Sequence, residues 1–162
     1  MLPLVVSLVS VSCLLGPPAD GPVVRRFAPD GLFGGHWGID VGVAEGTPVR
    51  AAASGVVTFS GTVAGNQTIT VHHGGGVRTS YSYLTLRRVA AGERVAAGAI
   101  LGASGVDHGI PAVHFSVRVG DRYVDPLATC RGLGSPSAGL HLAPTIATYP
   151  VPRAPRPARR DL

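Results

Sequence analysis

The sequence predicts an all-β protein built as a single domain, and three observations carry that expectation. Apolar residues fall in short Val/Ile/Ala runs broken by glycine, of which there are 23, rather than in long stretches of helix formers. No segment beyond the apolar N-terminus shows a convincing helical period. A chain of 162 residues has room for one domain of ordinary size with tails.

The elements follow in order. Leu2 to Leu15 are almost entirely apolar and run into Gly16-Pro17-Pro18-Ala19-Asp20. That is short for a bilayer span and right for a signal-peptide core, so residues 1–21 are expected to be a signal peptide or N-terminal anchor. No arginine precedes Arg25 to supply the usual positive n-region, and the competing expectation is an apolar N-terminal strand of a cytosolic chain. Cys13 lies inside the segment, but Ser10-Val11-Ser12 makes a poor lipobox, which leaves lipidation as the second choice.

Val23 to Phe27 reads as a short strand and Ala28-Pro-Asp-Gly31 as a turn. Pro48 to Ala53 and Gly55 to Val63 alternate or run apolar between glycines. Thr68 to His73 is a β-branched run closed by Gly74-Gly75-Gly76, with Val77 to Leu86 as its hairpin partner. Val89 to Gly102 gives two short apolar pulses with glycine at each bend, and Leu84 to Val95 is the least strand-like stretch. Ala112 to Val119 and Arg122 to Val124 supply the last strands before Asp125-Pro126 ends the pattern. The domain is therefore placed at residues 22–131, and the Pro/Arg-rich residues 132–162, without apolar period, form a disordered tail.

The chain has no lysine; all 14 basic residues are arginine. Schiff-base catalysis and lipoyl or biotinyl attachment are excluded, although the Gly-Thr-Pro-Val and Gly-x-x-Val-x-x-Gly patterns also occur in such carrier domains. Arg153, Arg156, Arg159 and Arg160 against Asp161 make the tail basic, which suits an anionic wall polymer or lipid headgroups. No aromatic-basic stacking motif accompanies it, so nucleic acid is not expected. Cys130 would be the one cysteine of a processed chain, which excludes an internal disulfide.

The chemistry lies in His36, Asp40 and His114. Residues two apart on a strand face the same way, so Ala112 and His114 share a face while Val113 turns into the core. His36 and Asp40 are four apart, but Gly38 and β-prone neighbours argue for a bent strand-loop piece that folds both side chains inward. Two imidazoles and a carboxylate suit a catalytic zinc, which keeps three protein ligands and one open position.

The stretch from about Gly35 to Pro126 resembles the lysostaphin-type zinc metallopeptidases, which cut peptide cross-links in bacterial cell walls. The matching segments are His36-Trp-Gly-Ile-Asp40, Gly46-Thr-Pro-Val49 through Val57, His73-Gly-Gly-Gly-Val-Arg-Thr79, Tyr81-Ser-Tyr-Leu84, Val95 through Gly102, and His114-Phe115. The resemblance implies a mainly antiparallel β-sheet core with a loop-walled groove over one zinc ion, held by His36, Asp40 and His114. It also implies two departures. The family carries histidine where Tyr83 and Ala112 stand, and those histidines activate the water and steady the developing oxyanion. Alanine does neither, and a phenol with a pKa of about 10 is a poor base, though Tyr83 could donate to an oxyanion. His108, in the loop Gly105 to Gly109, is a replacement candidate whose plainer reading is an exposed loop histidine. His72 and His73 end a strand on opposite faces, one expected to hydrogen-bond near the site; His141 falls in the tail.

The function implied is a secreted or wall-associated zinc endopeptidase-family protein that acts on or binds peptidoglycan peptides, with catalysis weak or lost. A leader left uncleaved or lipidated would anchor it to the membrane instead. The alternative is a non-catalytic, zinc-binding module that holds wall peptides or regulates a separate wall hydrolase. A secreted scaffold docking through its basic tail is a third reading.

Overall fold

A computed structural model of the chain describes residues 15–32 and 34–129, and the backbone of 149–150. The apolar run up to residue 14 with Cys13, and Cys130, His141 and the tail arginines, lie outside the described residues. No helix occurs among the described residues.

The strands are β1 (Val23–Arg25), β2 (Ala28–Asp30), β3 (Gly34–His36), β4 (Ile39–Gly42), β5 (Pro48–Arg50), β6 (Gly55–Val63) and β7 (Asn66–His72). They continue with β8 (Val77–Arg87), β9 (Arg94–Val95), β10 (Ile100–Asp107), β11 (Ile110–Val119) and β12 (Arg122–Val124). One antiparallel sheet runs in the order β1-β4-β11-β10-β8-β7-β6-β9, with β5 on β10, β12 on β11 and a second pairing of β11 with β8. The backbone of Tyr149–Pro150 adds a short pairing to β12. β2 and β3 form a separate two-stranded ribbon.

Alternation fixes which way each strand faces. Along β11, Val113, Phe115 and Val117 are buried in the core, which leaves Ala112, His114 and Ser116 on the opposite face. Ile69 and Val71 of β7, Tyr81 of β8 and Leu101 of β10 join them, fully buried. Tyr81 is the largest of these, and its hydroxyl is satisfied by the Ala52 amide at 2.7 Å and by Thr79 Oγ1 at 3.0 Å. Burial pushes its pKa up to about 12.

Register then sets the site. β4 lies against β11 with Asp40 directly opposite His114, and β8 flanks the other side with Ser82 opposite His114. Directly paired residues project from the same face, so pairing alone brings Asp40 beside His114 across 74 residues of sequence.

The structure corrects three expectations. Ala28 to Asp30 is a strand rather than a turn, paired with Gly34 to His36, and the reversal is carried by Gly31 at φ 57°. Pro29 is tolerated because a two-stranded ribbon leaves its missing amide on an edge. β8 runs to Arg87, one residue past its expected end, and beyond the connection β9 is a two-residue pairing with β6. The packed body also begins upstream of residue 22. Leu15 and Ala19 are buried, the Gly16 amide donates to Ala52 O, and the Arg50 amide donates to Pro18 O. The end of the apolar N-terminal run thus fills a place in the core that the later strands leave open.

Candidate metal centre

Three strands deliver three donors. His36 ends β3, Asp40 lies in β4, and the two-residue link Trp37-Gly38 folds the chain between them. Glycine is required at 38. A Cβ there would stand 2.5 Å from the Phe115 carbonyl oxygen and 2.7 Å from His114 Nε2, so the bare backbone is what lets the His114 ring approach. His114 arrives from β11 by the register described above.

The donor atoms form a tight triangle. His36 Nε2 lies 2.9 Å from Asp40 Oδ1 and 3.0 Å from His114 Nδ1, and His114 Nδ1 lies 2.7 Å from Asp40 Oδ1. The side chains are 8%, 6% and 18% exposed for His36, Asp40 and His114. His36 Nδ1 lies 2.8 Å from the Arg26 carbonyl, which can only accept, so Nδ1 carries the proton and Nε2 turns its lone pair inward. Lone pairs of an imidazole and a carboxylate at such separations repel unless a cation lies among them. A tetrahedral site with bonds of about 2.0–2.1 Å has edges of about 3.3 Å, slightly wider than this triangle. The donor set fits a zinc-like ion.

Burial by itself would raise the Asp40 carboxyl, but the neighbouring imidazoles, His114 first and then His36, hold it below its ordinary value. Asp40 is thereby kept in the form that binds a cation.

The other predicted residues occupy the opposite wall. Tyr83 sits where β8 leaves β11 for β10, at φ 61°, a left-handed conformation that turns its ring over the site. Its ring lies 6.4 Å from that of His114 and 5.5 Å from that of His108. Burial first, then the charge and hydrogen bond of Asp107, raise the Tyr83 pKa, which makes it a hydrogen-bond donor and a still poorer base. His108 stands at the rim, its side chain 69% exposed and its Nδ1 paired with Asp107 Oδ1. Ala112 is buried opposite Gly42 and Gly105. His72 and His73 do not line the centre; His73 is tied instead to the Ser54 carbonyl and Thr79 Oγ1.

One residue escaped the sequence reading. Asp107, 4% exposed, contributes a carboxylate to the same cluster, and one donor atom each from His36, Asp40, Asp107 and His114 lie within 4.8 Å of one another. The available signal was parity. Gly105 pairs with Ala112, so Asp107, two residues on, shares the face of His114.

The centre opens into a cavity of about 400 Å³ lined by Arg25, Trp37, Tyr83 and His108 among others. It continues into a groove of about 540 Å³ lined by a strip of hydroxyls, Thr68, Thr70, Ser80, Ser82 and Ser116, together with Trp37 and Tyr123, whose rings lie 5.6 Å apart. Thr68 bonds Ser82 at 3.0 Å and Thr70 bonds Ser80 at 2.9 Å across the β7–β8 pair.

An antiparallel sheet with this donor triangle beneath a groove defines a metallopeptidase-type fold. Peptidase family M23 matches residues 34–126, more than half of the chain, and the chain belongs to that family. It is similar to the DD-carboxypeptidase/endopeptidase Mpg of Neisseria meningitidis, 36% identical over 97 residues, covering 57% of this chain and 22% of that protein. It is also similar to the murein hydrolase activator EnvC of Escherichia coli, 32% identical over 114 residues, covering 67% and 27%. The catalytic domain of the antimicrobial peptidase lysostaphin from Staphylococcus simulans superposes with a TM-score of 0.58 at 30% identity, covering 69% of this chain and 91% of that one. The chain spans about half the length of the uncharacterized Mycobacterium tuberculosis proteins it matches at 36% identity, covering 68% of this chain and 47% of theirs.

Proposed function

We propose that this chain is a cell-wall protein that binds one zinc ion through His36, Asp40 and His114 and receives peptidoglycan peptides in the adjoining groove, with hydrolysis weak or lost. The single observation that carries the reading is a donor triangle of 2.7–3.0 Å edges set beside a wall with alanine at 112 and a phenol at 83. Zinc would supply Lewis acidity toward a peptide carbonyl. The chain's own residues do the rest. The hydroxyl strip and Trp37 hold an extended peptide, and Tyr83 donates a hydrogen bond toward its carbonyl oxygen. On this wall alanine at 112 offers no base and the phenol of Tyr83 a poor one, and its one imidazole, His108, stands at the rim paired with Asp107. Losing such a base typically lowers a rate by about 10²- to 10⁴-fold.

A second reading is favoured by the likeness to a murein hydrolase activator: the chain holds wall peptides or regulates a separate hydrolase without turnover. Secretion or wall association, with anchoring by the leader as the variant, belongs to the same proposal. It rests on the apolar run from Leu2 and on the arginines of the tail, which suit anionic wall polymers. Because Leu15 to Ala19 are packed into the body, processing that leaves this fold intact cuts before Leu15.

The test is purified protein with purified sacculi. About one zinc per chain is expected, with binding of sacculi and slow or no release of peptides, compared against chelator and His36→Ala controls. Zinc near zero in wild type removes the metal reading; brisk chelator-sensitive hydrolysis removes the claim of lost catalysis.

A further inference from the structure

Asp107 has no part in the function proposed above, yet it is a carboxylate at 4% exposure placed against the donor triangle. Its position is built rather than incidental. β10 and β11 are joined by a two-residue turn, His108 at φ 48° and Gly109 at φ 84°, with Asp107 directly paired to Ile110. Two left-handed residues in succession make the tight hairpin turn whose twist matches that of its strands. The pairing therefore fixes the Asp107 backbone on the same face as His114. The two residues between them on that face, Gly105 and Ala112, carry almost no side chain. An alanine at 112 thus does more than remove a histidine: it leaves open the space into which Asp107 leans.

Charge supports the same assignment. Asp40 and Asp107 are both buried and offer carboxylate oxygens within 4.8 Å of each other. A divalent cation between two such carboxylates is attracted by both. With a divalent ion, two carboxylates and two neutral imidazoles sum to zero net charge, the least costly state for a buried cluster.

We infer that Asp107 is a fourth ligand, so that the centre of this chain is a closed His₂Asp₂ site rather than an open three-ligand one. The four donor atoms already lie within 4.8 Å of one another. Closing to tetrahedral edges of about 3.3 Å requires a carboxylate movement of about 1.5 Å, within the reach of an aspartate side chain. Closed four-ligand sites hold structure, whereas catalytic ones keep a position free. This rests on the proposed zinc reading and deepens it, since it supplies the reason that hydrolysis is lost.

The experiment uses the full chain loaded with Co²⁺ or Zn²⁺, wild type beside Asp107→Asn, with acetohydroxamate as a probe for an open coordination position. The wild-type cobalt spectrum is expected to ignore acetohydroxamate. Asp107→Asn is expected to bind zinc more than about 100-fold more weakly, beyond the 10- to 100-fold typical of outer-shell partners, and its cobalt spectrum to respond to the probe. Three results overturn the assignment: a wild-type spectrum that shifts with acetohydroxamate, a change in zinc affinity within about threefold, or a weaker affinity with an unchanged cobalt spectrum. Should Asp107→Asn fail to fold, the wild-type spectrum alone decides. A metal-replete wild type that answers the probe sinks this inference and leaves the zinc reading standing, whereas a wild type that takes up no metal sinks both.

Discussion

The two walls of the centre are built differently. On one side His36, Asp40 and His114 come from β3, β4 and β11, each fixed by register or by a hydrogen bond to backbone. On the other, Tyr83 and His108 sit in left-handed conformations, and Ala64, the third residue other than glycine with positive φ among those described, lines the same cavity. Strain of about 1–3 kcal/mol per such residue is held where the surroundings over-determine it, commonly beside functional sites. The wall that carries the candidate metal donors is thus conventional and rigid, while the facing wall is distorted and offers a phenol, an alanine and a rim histidine. Metal binding and turnover are separable properties of one fold, and the function proposed above assigns this chain the first.

The largest effect should come from setting the walls against each other. His114→Ala should weaken zinc binding by more than about 100-fold, past the range for outer-shell partners, while Tyr83→Phe, which removes one hydrogen bond to Asp107, should cost no more than about tenfold, the low end of that range. Competition with a chromogenic chelator measures both. Equal losses would mean that the walls are not independent and that the comparison is wrong.

Next in size is restoration. Tyr83→His with Ala112→His, in an Asp107→Asn background, returns imidazoles to both positions and frees a coordination place. Hydrolysis of wall peptides should rise by about 10²-fold over wild type, the low end for a regained acid–base group. With Asp107 retained the gain should be several-fold smaller. No gain in either background would show that the groove, rather than the missing bases, limits turnover.

Much of this was legible in the chain. Alternation in the β11 segment placed Val113 inward and His114 outward, and the Thr68–His73 and Val77–Leu86 runs did form a hairpin. The His36/Asp40/His114 triangle needed only those strands and a glycine between the first two. What escaped was set by packing between distant segments. Nothing in Leu15-Gly16-Pro17-Pro18 distinguishes the end of a leader from a strap across the core until Ala52 and Arg50 are there to bond it. Pro29 read as a turn because proline disfavours a sheet, and its partner Gly35 is an edge that local sequence does not reveal. Asp107 escaped because side-chain parity across a hairpin depends on knowing where the turn begins.

Gly38 offers a smaller effect on the rigid wall. Gly38→Ala places a methyl 2.5 Å from a backbone oxygen and 2.7 Å from the His114 ring. Overpacking of this kind costs about 1–3 kcal/mol, read as a lower denaturant midpoint at unchanged slope, and zinc affinity should fall with it because His114 is displaced. A stable variant with normal zinc binding would show that the β3–β4 link yields more than its contacts suggest.

The smallest effect tests the distorted wall. His108 lies at φ 48° with its side chain 69% exposed, and an L-residue in that region carries a penalty of about 1 kcal/mol or more that glycine escapes. The greater freedom of glycine in the unfolded chain returns about 0.4–1 kcal/mol of it. His108→Gly should therefore change stability by less than about 1 kcal/mol, because the strain relieved is offset by the partner taken from the buried Asp107 carboxylate. Zinc affinity should stay within about threefold, because Asp107 loses a partner at the rim and keeps its place on the sheet face. A marked loss of affinity would instead make His108 part of the metal-holding wall, and the division between a rigid and a distorted side would no longer coincide with the division between binding and chemistry.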